Sequence, residues 1–191
     1  MQAHVSLPHR TWTVDEYYRM GEAGILGPDE RTELIDGEII PMTPPGPLHA
    51  TTMDWLGKFL IRSVGDDVIV RLQNPLRLDK KREPQPDAAI VRYQPDRYKY
   101  QPPGPADALL VIEVSESSLS TDRGVKRDRY AEFEVAEYWV LDISRRTIIT
   151  YRAPKLGRFT EEREYRDGES LFMPGLGREV RVEEVLGPAE R

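Results

Sequence analysis

The chain contains no cysteine in 191 residues, which excludes disulfides and thiolate metal centres and leaves oxygen and imidazole as the available metal donors. It also lacks any apolar run approaching the roughly 20 residues that span a bilayer, and its first eight residues show no basic segment followed by an apolar core. A soluble, cytoplasmic protein with no membrane segment is expected. There is no internal repeat and no heptad array. A basic excess is absent too: the net charge of -6 argues against a generally basic nucleic-acid coat, although a local groove can be positive on an acidic protein. What is present is 39% hydrophobic and 31% charged residues, the balance of a globular chain, at a length that fits one domain over residues 1–191.

The most apolar stretch, Ala108-Leu-Leu-Val-Ile-Glu-Val-Ser115, reads as a buried strand between the turn formers of 102–105 and 117–120. It carries a carboxylate, Glu113, on the same period-two face as Leu109 and Val111. Without partners, that carboxylate would lose its hydration at a cost of several kcal/mol, so a cation, a proton or a set of donors is expected opposite it. The other elements fall around this strand. Thr13-Val-Asp-Glu16 is a capping box that starts a helix towards Glu22. Asp36-Gly37 is a two-residue hairpin turn between short strands that carry Glu33 and Ile40. A proline-rich loop, 41–47, precedes a helix from about His49 to Ser63. Strands are expected over 68–72 and 75–79, and Asp87 opens another over 88–91. A Tyr- and Pro-bearing loop fills 92–105. A helix runs from Ser120 to about Glu134, strands cover 137–142, 147–152, 159–165 and 170–173, and a loose tail follows from Leu186, over about 187–191. This order suits an α/β or α+β fold with a mixed sheet and helices on its faces.

Asp87 and Glu113 each lie at a strand end, and neighbouring strands are about 4.8 Å apart, so adjacency would bring both carboxylates to one edge. Two such charges about 4 Å apart repel by roughly 4 kcal/mol at an effective dielectric of 20, a penalty that a divalent ion removes. Carboxylate donors point to a hard ion, Mg²⁺ or Mn²⁺. Lys126 shares a helix face with Tyr130 and Phe133, towards the packed side. An amine there can orient or deprotonate a nucleophile and stabilise charge on a phosphate. Two carboxylates, a metal and a lysine suit phosphodiester hydrolysis.

Pro86-Asp87 followed by Glu113-Val-Ser115 resembles the signature of the PD-(D/E)XK nuclease superfamily, with Ser115 standing where that pattern has lysine. Five further pieces resemble the Uma2 (Uma-two) family of restriction-endonuclease-like proteins within it: Asp122-Arg-Gly-Val-Lys126 through Tyr130-Ala131; Val135-Ala-Glu-Tyr138-Trp139-Val140; Glu33-Leu-Ile-Asp-Gly-Glu38; His49; and Gln73-Asn-Pro-Leu-Arg-Leu78. The resemblance runs from Trp12 to Tyr151. It implies an αβββαβ core over about 12–152, with an added N-terminal hairpin and C-terminal strands. It further implies a homodimer acting on DNA with Mg²⁺ or Mn²⁺, Asp87 and Glu113 as metal ligands, Lys126 as the displaced catalytic lysine and Glu33 as an extra acidic residue.

Each residue has a plainer reading. Asp87 alone is a cap or turn residue, Glu113 a structural partner of an arginine, and Lys126 a snorkelling surface lysine beside Asp122. Glu33 reads equally as a partner of Arg31 or Arg71. His49, Gln73 and Tyr130 are secondary candidates beside the roles of helix start, backbone partner and core residue. The basic residues Arg123, Arg127, Arg129 and Lys80 to Arg82 read as phosphate contacts or as solvated charge. A non-catalytic interaction or regulatory homodimer on the same scaffold is the alternative to a nuclease.

Overall fold

The computed structural model describes residues 9–189. After α1 (Val14–Glu22), strands β1 (Thr32–Ile35) and β2 (Glu38–Pro41) form a hairpin, followed by α2 (Pro47–Ser63), β3 (Val68–Leu72), β4 (Ala88–Arg92) and β5 (Ala108–Ser115). Three helical pieces come next: α3 (Leu119–Thr121), a π-turn over Asp122–Lys126 and α4 (Arg127–Glu132). The chain ends in β6 (Glu137–Asp142), β7 (Thr147–Lys155), β8 (Arg158–Arg166), β9 (Ser170–Met173), β10 (Arg178–Arg181) and α5 (Val182–Leu186). Six strands pair in chain order, β3-β4-β5-β6-β7-β8. Within this mixed sheet β5 and β6 are parallel and the other neighbours antiparallel. The expected αβββαβ core is therefore α2, β3, β4, β5, the broken helix and β6.

The capping box forms as read: the Thr13 hydroxyl accepts from the Glu16 amide at 3.3 Å while the Thr13 amide donates back to Glu16 at 2.9 Å. At the hairpin turn Asp36 and Gly37 both take positive φ, 53° and 78°, as a tight two-residue turn between twisted strands requires. A side chain at Gly37 would also meet Trp12 backbone at 2.9 Å.

Side chains of β5 are buried on both faces. Leu110 and Ile112 join Trp139, Leu141, Leu56 and Leu60 in one apolar cluster, and Val111 joins Tyr130, Tyr138, Val140 and Tyr151 in the other. Fully burying each large side chain contributes roughly 1.5–3 kcal/mol, so the strand that carries Glu113 is firmly packed.

Three expectations are corrected. Residues 75–79 are not a strand: the Pro75 ring has no N–H for a ladder, and β3 pairs with β4 instead. Leu76 and Leu78 are buried nonetheless, which explains their alternation. The helix expected from Ser120 to Glu134 is broken by the π-turn, where Gly124 leaves helical geometry at φ -109°, ψ -107°. The tail does not begin at Leu186. That residue closes α5 and is buried, Trp55 donates its indole N–H to the Glu184 carbonyl at 2.8 Å, and Gly187 packs against the Trp55 ring. Strand β10 and helix α5 were not anticipated; residues 190–191 of the expected tail lie outside the described residues.

Candidate active site

One cleft is lined by Glu33, His49, Gln73, Asp87, Glu113, Asp122 and Lys126, with the proline-rich segment 41–46 and residues 116–118 as further walls. Strand pairing brings the two central carboxylates there. Ala88 lies opposite Ile112 in the antiparallel β4–β5 pair, so Asp87, one step earlier, falls opposite Glu113, one step later. Asp87 Oδ2 accepts the Val114 amide at 2.9 Å and lies 3.2 Å from His49 Nε2.

Lys126 closes the other side. Its ammonium is 3.1 Å from Glu113 Oε1, 3.1 Å from Glu33 Oε1 and 4.0 Å from Asp122 Oδ1, and all four residues are buried. The described ion pair of Glu33 is thus with Lys126, not with Arg31 or Arg71, and its second oxygen accepts the Gln85 amide at 3.1 Å. Glu113 pairs with a lysine, not an arginine. Lys126 is no surface lysine. Tyr130 stands behind Glu113, off the cleft wall, and donates to Glu113 Oε1 at 3.3 Å. Gln73 lines the cleft and takes positive φ, 50°; its amide donates to the Asp87 carbonyl at 2.9 Å, fixing the backbone that presents the Asp87 side chain.

The hairpin that carries Glu33 is held over the broken helix by Asp36. Arg129 grips the Asp36 carboxylate with a fork of bonds at 2.7–2.9 Å, and Arg82 adds another at 2.5 Å. Burial pushes the Asp36 carboxyl up, but the two arginines outweigh it and hold it below the usual carboxylate range. Other members of the basic run also have internal partners: Arg123 with Glu162, Arg127 with Asp128, and Lys81 with Thr11.

Negative charge exceeds positive in the cleft. Burial pushes the Glu113 carboxyl well above its usual range; Lys126 opposes this, while Asp122, Asp87 and Glu33 reinforce it. Burial also works against the Lys126 ammonium, yet Glu113, Glu33 and Asp122 outweigh it and hold the amine above the ordinary lysine range. Lys126 is therefore a charged donor rather than a base in this arrangement. The hydrogen bond to Asp87 holds the His49 imidazole above its ordinary range against the effect of burial.

Among the described residues, no trio of His, Asp or Glu side chains is arranged as a ready metal cage. The donors nonetheless fit a hard ion. No described residue donates to Asp87 Oδ1 or Glu113 Oε2, and neither belongs to the enclosed polar atoms left without a partner, so both oxygens keep access to the cleft. One or two carboxylates, completed by water and substrate oxygens, are the usual protein share of a Mg²⁺ site.

Sequence reasoning passed over Ser115, Ser118 and Asp122 as site residues. Ser115 and Ser118 donate to Asp122 Oδ2 at 2.6 Å and 2.5 Å. The signal was present in the four-residue spacing of Asp122 and Lys126.

No curated protein matches the chain. A crystal structure titled as "a putative nuclease belonging to DUF820" from Anabaena variabilis shares the fold, with a TM-score of 0.70 at 14% identity over 91% of this chain and 97% of that one. Residues 14–183 match the model of the family described as "Uma2: Putative restriction endonuclease". The chain belongs to the Uma2 family.

Proposed function

We propose that this protein is a Mg²⁺- or Mn²⁺-dependent endonuclease that hydrolyses DNA phosphodiester bonds at the Glu33–Asp87–Glu113–Lys126 cleft. The observation that carries the reading is the convergence of three carboxylates and a buried amine, from positions 33 to 126, on one cleft. Family membership and the shared nuclease fold support it.

Asp87 and Glu113 would hold the ion through the oxygens left free of hydrogen bonds. The ion, when bound, supplies Lewis-acid polarisation of the phosphoryl group and a more acidic water. His49 and the Val114 amide hold Asp87 through Oδ2, which would leave Oδ1 for the ion, and Tyr130 holds Glu113 through Oε1, which would leave Oε2. Lys126, kept as an ammonium, donates hydrogen bonds towards the attacking water and the charge that grows on the phosphate. Glu33 anchors Lys126 against Glu113. Arg31, at the mouth of the cleft with no ion pair among the described residues, supplies a cation for a backbone phosphate.

Incubation of supercoiled plasmid with the protein in Mg²⁺, Mn²⁺ or EDTA tests this, with Asp87→Ala in parallel. Cleavage in metal alone, abolished in the variant, is expected. Equal cleavage by Asp87→Ala, or cleavage in EDTA, removes the proposal.

A second reading rests on one observation: Lys126 already bridges Glu113 and Glu33 in a buried cluster, which a non-catalytic interaction or regulatory homodimer would also need to keep its scaffold folded. Calorimetry with Mn²⁺ separates the two, since no heat at millimolar metal favours this second reading.

A further inference from the structure

Ser115 stands two residues after Glu113, where the resembled motif has its lysine, and its hydroxyl has a different task. Its hydroxyl donates to Asp122 Oδ2 at 2.6 Å, and Ser118 donates to the same oxygen at 2.5 Å. The other oxygen, Oδ1, is left towards Lys126 Nζ at 4.0 Å. Ser115 and Asp122 are almost wholly buried, at 1% and 2% exposure, so the bond between them forms without competition from water.

Backbone contacts fix the same residue from behind. The Asp122 carbonyl accepts the Arg127 amide, which closes the π-turn, and the Tyr138 hydroxyl at 3.0 Å. The turn sets Lys126 at the start of α4, where its stem can cross beneath Glu113. Four groups thus converge on one residue: two serine hydroxyls on its carboxylate, and a tyrosine hydroxyl and an amide on its backbone carbonyl. A buried carboxylate beside Glu33, Glu113 and Asp87 adds repulsion to the cleft, a cost that the converging donors offset.

We infer that Ser115 and Asp122 form a positioning relay for Lys126, in which the serine standing at the motif's vacated lysine position holds Asp122, and Asp122 fixes the displaced ammonium against Glu113 and Glu33. The nuclease reading gives the relay its catalytic consequence, but the ordering of Lys126 does not depend on it. Asp122 and Ser115 are positioning residues: neither needs to touch substrate.

The relay is tested on the full chain by two independent measurements. The first is the side-chain ammonium signal of Lys126 in ¹⁵N-lysine-labelled protein, one of six lysines, assigned by its loss in Lys126→Arg. A protected, slowly exchanging signal is expected in the wild type and in Ser115→Thr, which keeps the hydroxyl, with rapid exchange in Ser115→Ala and Asp122→Asn. The second is plasmid cleavage in Mn²⁺. Ser115→Ala and Asp122→Asn should lose about a hundred-fold in kcat, the scale of an ångström's misplacement, with KM little changed. Ser115→Thr should recover most of it. Circular dichroism verifies folding, and Ser118→Ala, which removes the second hydroxyl alone, replaces Asp122→Asn should that variant not fold. Wild-type exchange behaviour in folded Ser115→Ala and in the second variant overturns the relay while leaving the nuclease proposal in place. Absence of cleavage by the wild type sinks the nuclease proposal, and ammonium exchange then still decides the relay.

Discussion

The ammonium of Lys126 lies 3.1 Å from the carboxylate of Glu33, a residue on a separate hairpin. With Glu113 at the same distance, the amine bridges the hairpin and the central strand, so the N-terminal element is part of the cleft rather than an ornament on it. The cleft is therefore as dependent on the contacts that hold the hairpin down as on the sheet itself.

Replacing Lys126 with Met should be costly in two ways. Removal of one partner from a buried charge cluster typically destabilises by about 3–5 kcal/mol, here because Glu33, Glu113 and Asp122 are left facing one another. Chemical denaturation at neutral pH measures the loss. An unchanged midpoint would mean that the carboxylates are not held together by the amine.

Asp36→Asn should loosen the hairpin in a pH-dependent way. Asn tolerates the positive φ at this position, so the loss reports the charge. Folding holds the Asp36 carboxyl below its ordinary range, and a group so depressed contributes stability above its unfolded value of about 3.9 and loses it as pH falls through the folded value. The wild type should melt above the variant at pH 7, and the gap should close as pH drops below about 4. A gap that does not narrow as pH falls below about 4 would contradict the clamp.

Tyr130→Phe removes only the hydroxyl that donates to Glu113 Oε1. Fluorescence-monitored urea unfolding should register a stability loss of about 1–2 kcal/mol, typical of a hydrogen bond to an acidic partner. Cleavage should weaken without vanishing, because Lys126 still donates to the same oxygen. Complete loss of cleavage in a well-folded variant would assign Tyr130 a role beyond orientation.

Much of this was legible in the residues. Asp36-Gly37 announced its turn because only a few residues accept two successive positive φ values, and 108–115 announced a buried strand through uninterrupted apolar character. Pairing of β4 with β5 turned Asp87 and Glu113 into neighbours, which strand spacing allowed but could not select. Glu33 was undecidable: local sequence offers Arg31 and Arg71 as partners, whereas the fold supplies Lys126. The π-turn escaped notice because its cause is tertiary, a carbonyl claimed by Tyr138. Leu76 and Leu78 imitated a strand by alternating burial without ladder bonds. Helix α5 was hidden by its shortness, being held by Trp55 more than by any propensity of its own.

The most direct test of the cleft as a metal-dependent hydrolytic site is anomalous diffraction from crystals of the wild-type protein soaked in Mn²⁺. The account predicts a peak bound by both Asp87 and Glu113 at about 2.0–2.2 Å, the range for hard-ion oxygen ligands, with the Lys126 ammonium still beside Glu33. A map with no peak there at saturating Mn²⁺, or with the ion held elsewhere while Lys126 stays locked to Glu113, would contradict it.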